Sequence, residues 1–237
     1  MLVTDFRLKY FLYKLVCAGF QLFDVGRVHP VRERELRALA KSVDYIEAHM
    51  PEAMGFDTQR ELITHALKAV KVQGHVMEFG VFRGGTIRYI AKQLPSNQAI
   101  HGFDSFEGLP EAWSGFDLGK NAFSTGGRLP NVPGNVALHK GWFNQTLPVW
   151  TKNNPGQVAF MHIDCDLYSS TCDILNALES RLQPGTVILF DEYFNYPNWE
   201  NHEFKAWKEF VQRAGLRYEY LGYARQQVAV RIVAKGI

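Results

Sequence analysis

Residues 78–85 read EFGVFRGG, and the reading of this stretch decides the fold. An apolar run leads into it, and TIRYIAKQL, a helical pattern, follows it. Strand, glycine turn and helix in that order form the unit with which open α/β sheets present backbone N–H groups to a nucleotide. The glycines fall at 80, 84 and 85, which is not the Gly-x-Gly-x-x-Gly spacing of a dinucleotide site. Glu78 adds a carboxylate where a pyrophosphate would be repelled.

Downstream of this turn the chain alternates short β-like runs with helical patterns, which predicts βαβ units and a mainly parallel sheet. Strands are expected at 75–81, 99–105, 135–141, 158–164, 185–193, 217–223 and 226–233, with helices at 86–94, 170–182 and 201–215. Too few residues separate the last two strands for a crossover helix, so they should form an antiparallel hairpin. Residues 31–50 and 58–72 read as two further helices. The expected class is α/β: a Rossmann-like, doubly wound, seven-stranded sheet with an antiparallel last strand and helices on both faces. The expected organisation is a helical extension or cover over 1–60 and one cofactor-binding domain over 61–237. Residues 105–134 carry no regular pattern, and a loop of that length in a compact domain is usually a lid or substrate wall.

Composition narrows the classes. The chain has 237 residues with 46% hydrophobic and 21% charged residues, as in a globular protein, and a formal net charge of +2, too small to point to nucleic acid. Cys17, Cys165 and Cys172 show no metal-type spacing and read as reduced thiols of a cytoplasmic protein. In FRLKYFLYKLVCAGFQLF, at 6–23, Arg7, Lys9 and Lys14 break the apolar run below the roughly 18 residues a spanning helix needs. It reads as an amphipathic helix that packs on the domain or on a second copy, so a homodimer or higher homo-oligomer through the N-terminal region is expected.

Ligands of open α/β sheets sit at the carboxyl ends of the strands, and here those ends are acidic. Asp104, at the end of the second strand, follows Gly85 at the spacing from which a carboxylate reaches two ribose hydroxyls, a feature shared by NAD and S-adenosylmethionine sites. Glu78 separates the two, because a methionine tail brings an ammonium group and a pyrophosphate does not. Asp164, on the fourth strand, and the pair Asp191–Glu192, at the end of the fifth, stand on neighbouring strands about 5 Å apart. Three such carboxylates converge on a hard cation such as Mg²⁺ or else repel one another in solvent. Asp166 reads as a turn or helix-capping residue.

The ordered run VMEFGVFRGGT, GFDSFEGLPE, GWFNQTLP, HIDCDLYSST and FDEY resembles the macrocin O-methyltransferase type of class I S-adenosylmethionine-dependent methyltransferase, over roughly residues 60–232. The resemblance implies a cofactor site at Glu78, Gly80, Thr86, Asp104, Ser105 and Asp164, and a Mg²⁺ site at Asp164, Asp191 and Glu192. It implies methyl transfer to a hydroxyl of a sugar or other small natural product, with Asp164 and a base among the catalytic residues. His202 is the base expected here, with His139 and His162 as alternatives, and Trp142, Phe143, Tyr193 and Trp199 as acceptor walls. Two departures stand out: Glu192 replaces the usual aspartate, and no lysine follows Asp164 to act as base. Other readings are a metal-dependent glycosyltransferase using Asp164 and Asp166, a nicotinamide oxidoreductase without a catalytic set in order, and a module that binds the adenosyl cofactor without turnover.

Overall fold

The structure, a computed structural model, describes residues 30–114 and 118–235. The expected N-terminal amphipathic helix lies outside the described residues. The first described element is helix α1, Pro30–His49, and the two-residue strand β1, Met54–Gly55, follows. Next come α2 (Gln59–Ala69), β2 (His75–Phe79), α3 (Gly85–Ala91), β3 (Ile100–Asp104) and β4 (Val136–Lys140). The second half runs α4 (Phe143–Asn153), β5 (Val158–Ile163), α5 (Tyr168–Leu178), β6 (Val187–Phe190), α6 (Glu203–Ala214), β7 (Leu216–Tyr223) and β8 (Val228–Lys235).

One sheet holds all eight strands in the order β1-β7-β8-β6-β5-β2-β3-β4. The chain runs outward from β2 through β3 and β4, then crosses back to β5 on the other side of β2. That reversal between β2 and β5 is the topological switch point, where an open sheet leaves a crevice at its carboxyl edge. Only β8 runs against the rest, paired antiparallel with both β6 and β7, so the expected hairpin and antiparallel last strand are present. The added strand, β1, pairs with β7 and extends the sheet to eight; two residues give no alternation for a sequence reading to detect.

Helices cover both faces, which is why β5 and β6 are buried along their whole length and apolar except for His162. On one face, Leu62, Ile63 and Ala66 of α2 join Ile87 and Ile90 of α3 against Phe160, Val187 and Leu189. On the other, Leu147 and Trp150 of α4, Ile174 and Leu178 of α5, and Trp207 of α6 pack on Phe79, Phe103 and Met161. Helix α1 joins this second face through Tyr45, whose ring lies 5.2 Å from that of Phe204 and 6.0 Å from that of Trp199.

Helix α4 was not anticipated. Its sequence, FNQTLPVWTKN, has few strong helix formers and carries Pro148 inside, which ordinarily breaks a helix. Burial of Leu147 and Trp150 against the sheet overrides those local preferences. Helix α2 is the opposite case, with a complete capping box in which Thr58 and Glu61 each satisfy the other's backbone N–H.

The glycine turn after β2 is fixed by close approach. Gly80 has φ +90°, and a Cβ there would lie 1.6 Å from the Asp164 carbonyl oxygen. Gly85, at the start of α3, has nothing within 4 Å of the same position. Gly80→Ala should therefore abolish cooperative folding or lower the melting temperature steeply. Gly85→Ala should be neutral or stabilising by up to about 1 kcal/mol, since alanine is the better helix former. Thermal melts of the two variants check this; similar melting temperatures would show that the turn tolerates a side chain.

Candidate active site

A row of backbone hydrogen bonds joins the strand tips. Gly141 N–H donates to the Asp104 carbonyl at 3.0 Å, Gly80 N–H to Phe103 at 3.0 Å, Asp164 N–H to Phe79 at 2.8 Å and Asp191 N–H to Ile163 at 2.8 Å. This row is the floor of a cavity of about 860 Å³ at the switch point. Gly80, Asp104, Ser105, Asp164, Asp166 and Glu192 line it, as do Trp142 and Phe143 at the start of α4. The segment between β3 and β4 closes one side with Leu109, Glu111, Trp113 and Phe123.

Asp104 works first on its own surroundings. One carboxylate oxygen accepts the N–H groups of Val81 and Phe82 at 2.8 and 2.7 Å, and the other accepts Phe106 N–H at 2.6 Å. The carboxylate so holds the glycine turn of β2 against the tip of β3, with lone pairs left for a ligand in the cavity. Phe82, Phe106 and Asp166 all have positive φ, at 48°, 60° and 66°. Non-glycine residues in that region cost free energy and concentrate at functional sites. Ser105 Oγ accepts Glu107 N–H at 3.1 Å, and Thr86, half-buried in the first turn of α3, is not on the cavity wall.

Beneath the floor lies a buried ionic row. His162 Nδ1 is 3.2 Å from Glu78 Oε2, and its Nε2 is 3.2 Å from Asp191 Oδ1. Burial alone would depress His162, but the hydrogen bonds to Asp191 and Glu78 outweigh it and hold the imidazole well above its usual range. Burial raises Glu78, while the His162 bond overcomes burial at Asp191 and lowers it. The row is an imidazole bridging two carboxyl groups inside the sheet. Gln59 also donates to Asp191 Oδ1, and Gln227 Nε2 lies 3.4 Å from Asp191 Oδ2. Glu78 is fully buried and does not reach the cavity.

Above this row three more acids crowd together. Asp164, Asp166 and Glu192 offer oxygens within 4.8 Å of one another, and His162, Asp164 and Asp191 form an overlapping set at the same limit. Burial, then the charge of Asp191, pushes Asp164 and Glu192 well above the carboxylate range and Asp166 up to about 7. Glu192 Oε2 is buried with no hydrogen-bond partner. An all-oxygen donor set with an orphaned oxygen and mutual repulsion fits a hard divalent cation. Asp166 does not cap α5, whose N-cap position is Leu167 without a side-chain bond; it faces the cavity instead.

The histidines and aromatics divide by their surroundings. His139 stacks with Phe103 and lies 3.1 Å from His101 under α4, and His162 is walled off, so neither meets the cavity. His202 stands behind Trp113, its Nε2 3.3 Å from Ser114 Oγ, and burial lowers its pKa. Tyr193 and Trp199 are core residues rather than acceptor walls, since the turn after β6 points both rings toward α1 and Phe204. Sequence reading missed Glu203, whose buried carboxylate accepts Glu192 N–H at 3.1 Å and Cys165 N–H at 3.4 Å and so ties the two acidic tips together. Only its position in the first turn of α6 signalled it.

A Rossmann-like sheet with an antiparallel last strand and a switch-point cavity between a glycine turn and an acidic β3 tip is the class I methyltransferase fold. A profile described as Macrocin-O-methyltransferase (TylF) matches residues 26–220, and the chain belongs to that family. Over 143 residues it is 32% identical to the 8-demethyl-8-(2,3-dimethoxy-alpha-L-rhamnosyl)-tetracenomycin-C 4'-O-methyltransferase of Streptomyces olivaceus, covering 52% of this chain and 54% of that one. It is 25% identical over 145 residues to the mycinamicin III 3''-O-methyltransferase of Micromonospora griseorubida, covering 52% and 56%. The match thus spans about half the length of these relatives. Among solved structures, the calicheamicin methyltransferase CalS11 superposes with a TM-score of 0.61 at 22% identity, over 87% of this chain and 98% of the other. The O-methyltransferase NovP does so with 0.58 at 23%, over 74% and 80%.

Removing the imidazole would leave Asp191 and Glu78 buried without their common partner. His162→Leu should cost about 3–5 kcal/mol of stability, the usual cost of an orphaned buried charge. Glu78→Gln keeps a polar side chain beside His162 and should cost under about 2 kcal/mol. Urea denaturation measures both, and equal small losses would show that the row carries no ionic character.

Proposed function

We propose that this protein transfers the methyl group of S-adenosylmethionine to a hydroxyl of a sugar-bearing small molecule, with a Mg²⁺-type ion at the acidic strand tips. The observation that carries the reading is one cavity in which the glycine turn and Asp104 adjoin Asp164, Asp166 and Glu192. Family membership favours methyl transfer over the glycosyltransferase, oxidoreductase and binding-only readings, and both relatives described above are named as O-methyltransferases.

In this reading the Gly80 turn, Asp104 and Ser105 hold the cofactor, while Trp142 and Phe143 cover it and limit water. A sulfonium methyl is already activated, so the residues need only align it with the acceptor oxygen and remove that oxygen's proton. Asp164, Asp166 and Glu192 would hold the divalent ion from the cavity side, with Asp191, beside Asp164 at the end of the His162 row, as the ligand from beneath; the ion would supply Lewis acidity that lowers the pKa of a sugar hydroxyl. Asp191 is steadied for this by His162, Gln59 and Gln227, and Glu192 by Glu203. His202, whose pKa burial lowers, is the proposed proton acceptor; it stands behind Trp113, bonded to Ser114, and would act on the acceptor through that wall of the cavity. Residues 105–134 act as the lid.

Asp191→Ala should lower kcat about a hundredfold or more while cofactor affinity by calorimetry stays near wild type. EDTA should reproduce that loss, and added Mg²⁺ should reverse the chelator but not the substitution. Full activity in verified excess chelator would remove the ion from the reaction. Asp104→Ala should instead weaken S-adenosylmethionine binding by about 1.5–3 kcal/mol, the worth of hydrogen bonds from a charged group. We further propose self-association through the N-terminal helical region, where Leu36, Leu39 and Val43 stand 52%, 46% and 43% exposed along α1. Sedimentation that returns a monomer at micromolar concentration would end that proposal.

A further inference from the structure

A second cleft of about 510 Å³ adjoins the first, lined by Phe82, Arg83, Arg88, Ser124, Thr125 and Arg128 among others. Phe82 lines both, and its ring packs edge-on against Phe123 at 5.8 Å, so this aromatic pair is the partition. The lining holds three arginines and no Asp or Glu. Among the described residues none of the three pairs with a carboxylate. Arg83 lies over the Phe82 ring at 5.0 Å, Arg88 donates to the Asn131 carbonyl at 2.9 Å and Arg128 to the Thr125 carbonyl at 3.3 Å. These contacts orient the guanidinium groups without neutralising them. Lys140, bonded to the Gly127 carbonyl at 2.8 Å, adds a fourth positive charge nearby.

Such a concentration is out of proportion to a chain of net charge +2, and like charges brought together cost free energy unless an anion offsets them. Arginine forks match the oxygens of phosphate in pairs, and Ser124 Oγ, which accepts Gly126 N–H at 3.1 Å, keeps its own hydrogen to donate to a phosphate oxygen. We propose that this cleft binds the phosphate groups of the acceptor, making the acceptor a nucleoside-diphosphate sugar whose sugar reaches past the Phe82–Phe123 partition into the acidic cavity. The inference rests on the sugar-hydroxyl reading above and adds the chemical class of the group that carries the sugar. No bond to phosphorus is made or broken; the diphosphate serves only as a handle.

The test is calorimetric binding of inorganic pyrophosphate, of uridine- and thymidine-diphosphate glucose, and of S-adenosylhomocysteine to wild type and to the double variant Arg83→Gln, Arg128→Gln. Both substituted residues are exposed, so a thermal melt matching wild type verifies the fold. Pyrophosphate and at least one nucleotide sugar should bind the wild type and weaken tenfold or more in the variant, with S-adenosylhomocysteine within twofold. Raised salt should weaken the wild-type anion binding in the same direction. Failure of the wild type to bind pyrophosphate, or an unchanged affinity in the variant, overturns the site. Loss of pyrophosphate binding alone assigns the cleft to a free anion and overturns the acceptor assignment. An equal loss of S-adenosylhomocysteine gives the arginines to the cofactor's carboxylate and also overturns it. Wild-type binding of S-adenosylhomocysteine tests the methyltransferase reading separately.

Discussion

The row of hydrogen bonds across the strand tips is the constraint on which the rest of the site depends. Each tip's carbonyl accepts the N–H of the residue that leaves a neighbouring strand, so Gly80, Asp164, Asp191 and Gly141 are held in one line. Parallel pairing alone would leave these tips frayed, because ladder bonds end where pairing ends. Extending the ladder one residue into each loop makes the loops start from fixed points. The contact between Gly80 and the Asp164 carbonyl follows from this, since two backbones that close admit no side chain between them.

A second layer of order is electrostatic and lies under the first. Desolvation makes a buried carboxylate expensive, and two of them near each other more so. The structure meets that cost by inserting His162 between Glu78 and Asp191, so that positive charge is shared from within the sheet. Among the described residues, Asp166 and Glu192 on the cavity side have no ion-pair partner, and Asp164 feels a cation only through His162 beneath it.

The loop between β3 and β4 completes the cavity by a different logic. It has little regular structure and is held together internally by backbone bonds such as Thr125 and Gly127 N–H to the Phe106 carbonyl and by the Trp113–Leu118 bridge. Because it supplies both Phe123 to the first cleft and Ser124 to the second, one segment shapes two adjoining spaces.

Sequence by itself determined the order of strands and helices, because apolar periods of two and 3.6 residues are local properties that survive in the one-dimensional record. It also gave the glycine turn, the acidic strand ends and the antiparallel last strand, since short spacings restrict what a chain can do. It did not disclose α4, whose helix depends on burying Leu147 and Trp150 rather than on its own propensities, nor β1, which exists only because β7 offers an edge. Glu78 shows the limit most plainly. As a residue type beside a glycine turn it reads as a ligand contact, yet its partner is His162, 84 positions away, in the sheet interior. Asp191 and Glu192 are neighbours in the chain, and alternation along the strand tip turns one toward the buried imidazole and the other toward the cavity. That division is a matter of which face of the sheet each side chain meets, and only the packed tertiary structure assigns those faces.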